Sequence, residues 1–305
     1  MSGTAELADL YSAIEESARL LEVACSRDRV WPILTTYGDA LGQAAICFRV
    51  ATDARHSGEL NCHFMMLPND VDPYDLALSK GLTTRTDHPV GALLSGIRRQ
   101  CPVAGYGIDF GVVGGFQKVW SIFPGNDMQK LSTLTGIPAM PRSLAGNIGF
   151  FTDRGLDGRV SLVGIDYERA TANVYFGELP AGCLEPDAIR SMHREIGLPD
   201  PSEQMLRLGR QAFGFYVTLS WDSARIERIS FSVMTSDPTR LPVRLDPKIE
   251  QFVGSVRYGA DGPKIVYAAM ASNGEEYYKI QSYYRWRPRI LNFMQLSGSV
   301  EEPAL

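Results

Sequence analysis

The sequence predicts an α+β fold: a ten-stranded antiparallel β-barrel surrounded by a ring of α-helices, built from repeated units of helix, strand, strand and helix. Five pairs of strand-like segments, rich in Val, Ile, Phe, Tyr and Thr, recur roughly every 50–60 residues, with helical sequence between them. Apolar side chains fall on one face of these segments, and Lys, Arg, Asn and Tyr fall on the other. A barrel with its polar face inside and helices over its apolar face satisfies this inverted alternation.

Each pair of segments is predicted to form a hairpin, because connections this short cannot join parallel strands. Gly114-Gly115 and Asn273-Gly274 indicate tight turns in which both central residues have positive φ. The predicted strands, in hairpin order, are Ala44–Ala51 with Glu59–Met66, Gly105–Val113 with Phe116–Phe123, Val160–Asp166 with Thr171–Glu178, Ala212–Ser220 with Ile226–Met234, and Ile265–Ala271 with Glu276–Tyr284.

Helical patterns fill the segments between the hairpins. An apolar stripe at three- and four-residue spacing predicts a first helix over Leu7–Leu21, and Ser26 is predicted to cap a second that runs towards Leu41. Proline is tolerated in the first turn of a helix, so several of the remaining starts coincide with prolines. Those starts are predicted near Pro73, Pro89, Pro141, Glu185, Ser202 and Lys248.

Composition limits the classes of protein that fit. The 305 residues, 45% of them hydrophobic, are enough for a sizeable core, and no Pro/Ser-rich linker divides them, so residues 1–305 are predicted to form a single domain. The formal charge of −5 and the absence of a Lys/Arg run argue against a nucleic-acid partner. No apolar stretch approaches the roughly 18 residues of a membrane span, and there is no secretory signal.

The cysteines and histidines indicate no metal site. Five scattered cysteines without a CxxC motif favour reduced thiols in the cytoplasm, and we expect a monomer that binds small molecules. The four histidines do not have metal-ligand spacing. His63 alternates with Asn61 and is assigned a hydrogen-bonded structural role.

The predicted inner face of the barrel carries cations from four different hairpins: Lys118, Arg169, Arg228 and Lys279. A single strand of this kind is more often a solvated face, but solvated faces mix both signs of charge. Here few acids accompany the cations, Glu59 and Asp109 being the exceptions. Ten strands enclose a lumen wider than an eight-stranded barrel fills with its own side chains. The pattern therefore predicts a cavity for a multivalent anion, to which each cation contributes about 4 kcal/mol at an effective dielectric constant of about 20.

Aromatic residues share the same predicted face, namely Trp120, Tyr175, Tyr216 and Tyr283, with Phe213 nearby. Aromatic rings stabilise a cation by roughly 0.5–2 kcal/mol each and also stack on flat ligands. Beside an anion site, such a wall suits an allylic diphosphate, whose carbocation the rings would shield, and an aromatic nucleophile.

A non-catalytic carrier barrel for an aromatic metabolite is the alternative, and it would need an apolar lumen without converging cations. A phosphatase-like enzyme would need a nucleophile or a two-metal ligand set that the sequence does not show.

Five short motifs, in their order and spacing, carry a resemblance to a known family. They are 114–118 (GGFQK), 166–167 (DY) with 173–176 (NVYF), 216–221 (YVTLSW), 226–228 (IER) and 276–279 (EYYK). The chain resembles the soluble ABBA-fold aromatic prenyltransferases of bacterial secondary metabolism, the NphB/CloQ type, from Leu10 to Tyr284. It is most similar to the branch acting on hydroxynaphthalenes such as flaviolin, with phenazine-prenylating relatives next.

The resemblance implies transfer of a dimethylallyl or geranyl group from an allylic diphosphate to an electron-rich aromatic acceptor, by electrophilic aromatic substitution with release of diphosphate. It implies that the diphosphate lies at Lys118, Arg169, Thr171, Asn173, Tyr216, Arg228 and Lys279. Catalysis is expected to depend most on Lys118, Tyr216, Arg228 and Lys279. It places the prenyl chain and the acceptor along Trp120, Leu162, Tyr175, Phe213, Gly214, Ser232, Gln281 and Tyr283.

The sequence departs from the family pattern at three positions, one of which is Trp120, where relatives often have tyrosine. Asn61 stands where magnesium-dependent relatives carry aspartate, and a neutral amide is a poor ligand for a hard cation, so we expect turnover without added Mg²⁺ or any cofactor. Gln117 replaces a frequent lysine, and by alternation it is expected to face away from Lys118 with little effect on chemistry. The acceptor of the ring proton stays open between water and diphosphate. Asp109 and Glu59 are possible bases, for which charge neutralisation is the favoured role.

Overall fold

A computed structural model describes residues 3–53, 56, 58–235, 247–255 and 264–287. The strands are β1 (Ala45–Ala51), β2 (Asn61–Leu67), β3 (Gly105–Gly111), β4 (Gly115–Ile122), β5 (Val160–Asp166), β6 (Thr171–Phe176), β7 (Gly214–Ser220), β8 (Ile226–Thr235), β9 (Lys264–Ala271) and β10 (Glu276–Arg285). The helices are α1 (Gly3–Leu20), α2 (Arg27–Leu41), α3 (Pro73–Ser79), α4 (Val90–Gln100), α5 (Leu131–Thr135), α6 (Arg142–Gly146), α7 (Ile148–Thr152), α8 (Pro186–Glu195), α9 (Glu203–Arg210) and α10 (Pro247–Ser255).

The ten strands form one closed antiparallel barrel, which confirms the predicted fold class. Every strand pairs with its neighbour in sequence, and β1 closes the ring by pairing with β10. All five predicted hairpins are present. Their bounds differ from the prediction by a few residues. Strand β2 begins at Asn61, two residues later than predicted, so Glu59 lies in the connection before the strand.

The apolar core lies between the barrel wall and the helices. On β7, Phe215, Val217 and Leu219 are buried in this layer, and they alternate with Tyr216 and Thr218 on the luminal side. Helix α9 packs on β8 and β9 in the same way. Because successive side chains of a strand point to opposite faces, filling the outer layer with apolar groups leaves the polar groups in the lumen. None of the described helices is long and apolar enough to cross a membrane.

The helices begin near the predicted residues, with two exceptions and one difference in capping. Helices α5 and α7 were not predicted, because five residues are too few to show a helical period. Ser26 occupies the N-cap position of α2 but its side chain makes no capping hydrogen bond. Ser202, in contrast, caps α9 by accepting from the Met205 backbone N–H.

The two glycine turns differ from the predicted type. Gly115 and Gly274 have φ of 77° and 84°, whereas Gly114 and Asn273 do not have positive φ. This is the pattern of a turn that ends in one left-handed glycine, not of a two-residue turn with two left-handed positions. The hairpins form as predicted because the glycine still supplies the conformation that other residues rarely adopt.

Candidate active site

The lumen holds two connected chambers of different character. The outer chamber is lined by polar and charged side chains, among them Lys118, Arg169 and Arg228, and has a volume of about 570 Å³. The inner chamber is lined mostly by aromatic and apolar side chains, among them Trp120 and Tyr175, and has a volume of about 130 Å³. Arg49 and Lys279 line both chambers and therefore mark the junction between them.

The four cations predicted from separate hairpins meet in the outer chamber: Lys118, Arg169, Arg228 and Lys279. Thr171 lines it with them. Two predicted diphosphate residues lie elsewhere. Asn173 is buried and accepts a 2.8 Å hydrogen bond from the Thr218 hydroxyl, and Tyr216 lines the inner chamber.

The expectation of few acids in this cavity was wrong. Five carboxylates line the outer chamber: Glu59, Asp109, Asp166, Glu168 and Glu227. Asp166 shares the luminal face of β5 with Leu162, and Glu168 lies in the turn that follows this strand. Glu227 is the extra residue of a β-bulge in the pairing of β7 with β8, where alternation fails. Asp166 lies 3.1 Å from the Lys118 Nζ, and Asp109 lies 2.9 Å from the Arg49 Nη2, so these two cations are already compensated.

Lys279, Arg228 and Arg169 are cations of the outer chamber without a compensating acid. Across the described part of the chain, none of the three lies within ion-pair distance of a carboxylate. Burial lowers the pKa of Lys279 well below its usual value, and the neighbouring Arg228, Arg49 and Lys118 lower it further. Arg228 donates to the Tyr277 hydroxyl at 2.8 Å, while its Nε is buried without a hydrogen-bond partner. A bound anion would offset the repulsion between Lys279 and its neighbouring cations, and it would accept a hydrogen bond from the Arg228 Nε–H.

All eight residues predicted to contact the prenyl chain and the acceptor line the inner chamber: Trp120, Leu162, Tyr175, Phe213, Gly214, Ser232, Gln281 and Tyr283. The Trp120 Nε1–H donates to the Tyr175 hydroxyl at 3.2 Å, and Tyr175 stacks on Tyr216 with ring centroids 4.4 Å apart. Gly164 makes room for the indole, because a Cβ there would lie 2.8 Å from Trp120 Nε1. These contacts fix an aromatic wall beside the cations, since Lys118 Nζ lies 5.7 Å from the Trp120 ring centroid and Arg228 Cζ lies 6.0 Å from the Tyr216 ring centroid.

Arg49 and Tyr267 are among the luminal residues that the sequence reasoning missed. Arg49 alternates with Ala45 and Cys47 against the apolar Phe48 and Val50, so the same two-residue rule could have placed it inside. Its buried guanidinium carries a charge to the junction between the chambers.

The expectation that Gln117 faces away from the site was wrong. The pairing of β3 with β4 shifts between Asp109–Lys118 and Phe110–Phe116, which leaves Gln117 as the extra residue of a β-bulge. A bulge breaks alternation, so Gln117 turns into the outer chamber. Its Oε1 accepts a 2.8 Å hydrogen bond from the Asn61 Nδ2. Asn61 and Gln117, two of the positions at which the chain departs from the family pattern, therefore contact each other.

Glu59 has a structural role that supports the hairpin turn. Its carboxylate accepts backbone N–H groups from Leu60 at 3.1 Å, Val113 at 3.1 Å and Gly114 at 2.9 Å. These bonds leave it poorly suited to act as the base.

Removing this carboxylate should destabilise the fold. Glu59→Ala leaves the partly buried Leu60 N–H and the exposed N–H groups of Val113 and Gly114 without their acceptor. It should lower the free energy of unfolding by about 1 kcal/mol, because water can replace the acceptor at the exposed groups. Urea unfolding followed by circular dichroism measures the change, with Asp39→Ala on the exposed side of α2 as the control. Equal midpoints for both variants would contradict the capping role.

Comparison with known proteins agrees with this geometry. The family model for aromatic prenyltransferase Orf2 matches residues 5–292. The chain is 55% identical over 287 residues to flaviolin linalyltransferase of Streptomyces virginiae, covering 94% of this chain and 95% of that protein. It is 53% identical over 282 residues to the furaquinocin biosynthesis prenyltransferase of Streptomyces sp. (strain KO-3988), covering 92% and 91%. It is 49% identical over 290 residues to 5,10-dihydrophenazine-1-carboxylate 9-dimethylallyltransferase of Streptomyces anulatus, covering 95% and 97%. The chain therefore belongs to the aromatic prenyltransferase Orf2 family and is an aromatic prenyltransferase.

Proposed function

We propose that this prenyltransferase transfers a dimethylallyl or geranyl group to a hydroxynaphthalene, with a phenazine as the next candidate acceptor. The observation that carries the proposal is the junction at Arg49 and Lys279, where a cationic chamber opens into an aromatic one. The names of the relatives favour flaviolin-like acceptors and, less closely, phenazines. A carrier would need the aromatic chamber alone and gives no reason for the buried cations.

The outer chamber is suited to a leaving diphosphate. As the allylic C–O bond breaks, both bonding electrons go to the diphosphate oxygen, and Lys279 and Arg228 are placed to stabilise that growing charge. Preorganised groups of this kind act without reorganising at the moment of reaction. Lys118 and Arg49 are held in place by Asp166 and Asp109 and extend the positive wall.

The inner chamber is suited to the carbocation and the acceptor. The π-faces of Trp120, Tyr175 and Tyr216 can stabilise the allylic cation, and the enclosing wall keeps the acceptor ring oriented towards it. Burial raises the pKa of Tyr175, Tyr267 and Tyr283, so these phenols stay protonated and do not capture the cation as phenolates. A ring carbon then forms the new bond, and loss of the ring proton restores aromaticity.

We also propose that this reaction needs no Mg²⁺. The Asn61 amide is neutral and its Nδ2 donates to Gln117, so the position that is a carboxylate in magnesium-dependent relatives supplies no anionic ligand. Arg49 brings a permanent positive charge to the same chamber.

Turnover should persist in EDTA. The expected rate of product formation with excess EDTA is close to that with added Mg²⁺, because side-chain cations compensate the diphosphate. Complete loss of turnover in EDTA that Mg²⁺ restores would contradict this.

Mass spectrometry of paired donors and acceptors tests the function. Dimethylallyl and geranyl diphosphate are each mixed with a dihydroxynaphthalene or a dihydrophenazine carboxylate, and prenylated product and free diphosphate are measured. A prenylated naphthalene is the expected product, and binding without diphosphate release would overturn the proposal.

A single domain over residues 1–305, a monomer and a cytoplasmic location stay predictions. The free thiols of all five cysteines support the last of these.

A further inference from the structure

A buried imidazole and carboxylate face each other in the barrel wall between the two chambers. His63 Nε2 lies 3.5 Å from Asp109 Oδ1, and within the described residues neither buried atom has a hydrogen-bond partner. The hydrogen-bonded structural role predicted for His63 is therefore wrong for this nitrogen. An unpaired buried polar atom costs about 1–3 kcal/mol, so two of them side by side indicate a function.

Three contacts hold this pair in position. His63 and Asp109 are directly opposite each other in the pairing of β2 with β3. The His63 ring stacks on Trp120, with centroids 5.0 Å apart and an interplanar angle of 27°. Arg49 binds the other carboxylate oxygen, Asp109 Oδ2, at 2.9 Å. Asp109 is thus anchored on one side and presents Oδ1 to the imidazole.

The pair lies where the ring proton must leave. His63 lines the inner chamber and Asp109 lines the outer one. A prenyl diphosphate that spans the junction has its phosphates in the outer chamber and its reacting carbons at the entrance to the inner one. The acceptor carbon that attacks them therefore lies on the side of the junction that His63 lines.

We propose that His63 is the catalytic base that accepts the ring proton, and that Asp109 stabilises the imidazolium that forms. This rests on the proposed function. After the prenyl carbon bonds to the ring, the C–H bond at that ring carbon breaks and its electron pair restores aromaticity. The proton bonds to Nδ1 of His63, whose Nε2–H faces Asp109, and it then passes to water in the outer chamber. No oxidant or co-reactant is required.

The charge state of His63 suits this role. Burial lowers its pKa to about 3; Asp109 opposes that change, while Arg49, Lys118 and Lys279 add to it. The imidazole is therefore neutral and able to accept a proton at neutral pH. An arenium ion is a far stronger acid than an imidazolium, so a weak base at contact distance is sufficient. Glu59 is occupied by three backbone N–H groups, which leaves His63 as the better-placed acceptor.

An isotope effect tests the proposal. His63→Gln keeps a polar side chain but removes the base, and it should lower turnover of dimethylallyl diphosphate with a dihydroxynaphthalene by about 100-fold or more. In this variant a ring-deuterated acceptor should react more slowly than the unlabelled one, whereas in the unmodified enzyme both should react at the same rate. Cys62→Ala, the neighbour whose side chain packs in the outer apolar layer, is the control and should show no isotope effect.

The outcomes separate the two proposals. Near-normal turnover of His63→Gln, or slow turnover without an isotope effect, would overturn the role of His63 and leave diphosphate or water as the acceptor. The isotope effect is a ratio of rates in one variant, so a partly unfolded preparation does not obscure it. If the unmodified enzyme prenylates no naphthalene or phenazine, the proposed function fails and the role of His63 fails with it.

Discussion

Replacing Lys279 by methionine should lower kcat/KM by about 10²–10³-fold, the loss expected when one preorganised group that stabilises transition-state charge is removed. Lys279 is 4% exposed and lines both chambers, so its ammonium lies at the junction where we propose that the allylic C–O bond breaks. Methionine keeps most of the length and apolar character of the side chain and removes only the charge. Steady-state kinetics with dimethylallyl diphosphate measure the effect.

The same substitution should make the empty protein more stable. Burial and three neighbouring cations lower the pKa of Lys279 in the folded state, so the unfolded chain binds this proton more tightly. The charged lysine therefore costs stability at neutral pH, and that cost fades as the pH rises towards the unfolded-state value of 10.5. Lys279→Met removes the cost and should raise the urea midpoint.

Activity and stability are thus expected to move in opposite directions, which a general loss of folding cannot imitate. Lys80→Met, at an exposed lysine after α3, is the matched control and should change neither quantity. Arg228→Met should resemble Lys279→Met in its kinetics. Near-normal rates in both luminal variants would contradict the assignment of the outer chamber to the diphosphate.

The sequence predicts the barrel well because apolar and polar side chains alternate along each strand, and this pattern can be recognised within a few residues. Each strand needs one face for the helices, and the pattern at Phe215, Val217 and Leu219 is enough to assign the other face to the lumen. Cations placed by that rule, Lys118, Arg228 and Lys279, do meet in one cavity. The cations and the aromatic wall of the lumen were predicted from residue type, but its division into two chambers was not predicted.

Prediction failed where pairing departs from regular alternation or where contacts are long-range. The bulge at Gln117 depends on the register of β3 against β4, which no local pattern encodes. Glu227 enters the outer chamber because the pairing of β7 with β8 leaves it as the extra residue of a β-bulge. Asp166 obeys the alternation rule, and its ion pair with Lys118 joins residues on different hairpins. The contact between His63 and Asp109 joins residues on different hairpins, so only the order of strands around the barrel reveals it.

Asp109→Asn should lower the free energy of unfolding by about 3–5 kcal/mol, because it removes one partner of a buried ion pair and leaves Arg49 uncompensated. Burial alone raises the pKa of Asp109, but His63, Arg49, Lys118 and Lys279 outweigh burial and bring it down from 3.8 to about 2. The ionised carboxylate therefore stabilises the fold above about pH 4. That contribution, about 2 kcal/mol, is lost as the pH falls towards 2. Urea unfolding at several pH values should show this loss in the unmodified protein and not in Asp109→Asn.

A double substitution distinguishes two causes of instability in Asp109→Asn, namely the uncompensated charge of Arg49 and the loss of the packing of the Asp109 side chain. Replacing a buried ion pair by apolar residues of similar size is often neutral or stabilising, so Arg49→Met combined with Asp109→Leu should recover most of the stability that Asp109→Asn loses. Glu203→Gln, which breaks the exposed pair with Arg190, is the control and should cost no more than about 1 kcal/mol. The recovered double variant should still be nearly inactive, because it lacks Arg49, one of the two cations at the junction, and the proposed partner of His63. If the double variant is as unstable as Asp109→Asn, the carboxylate stabilises the barrel wall through packing and not through its charge. The electrostatic account of the junction would then be wrong.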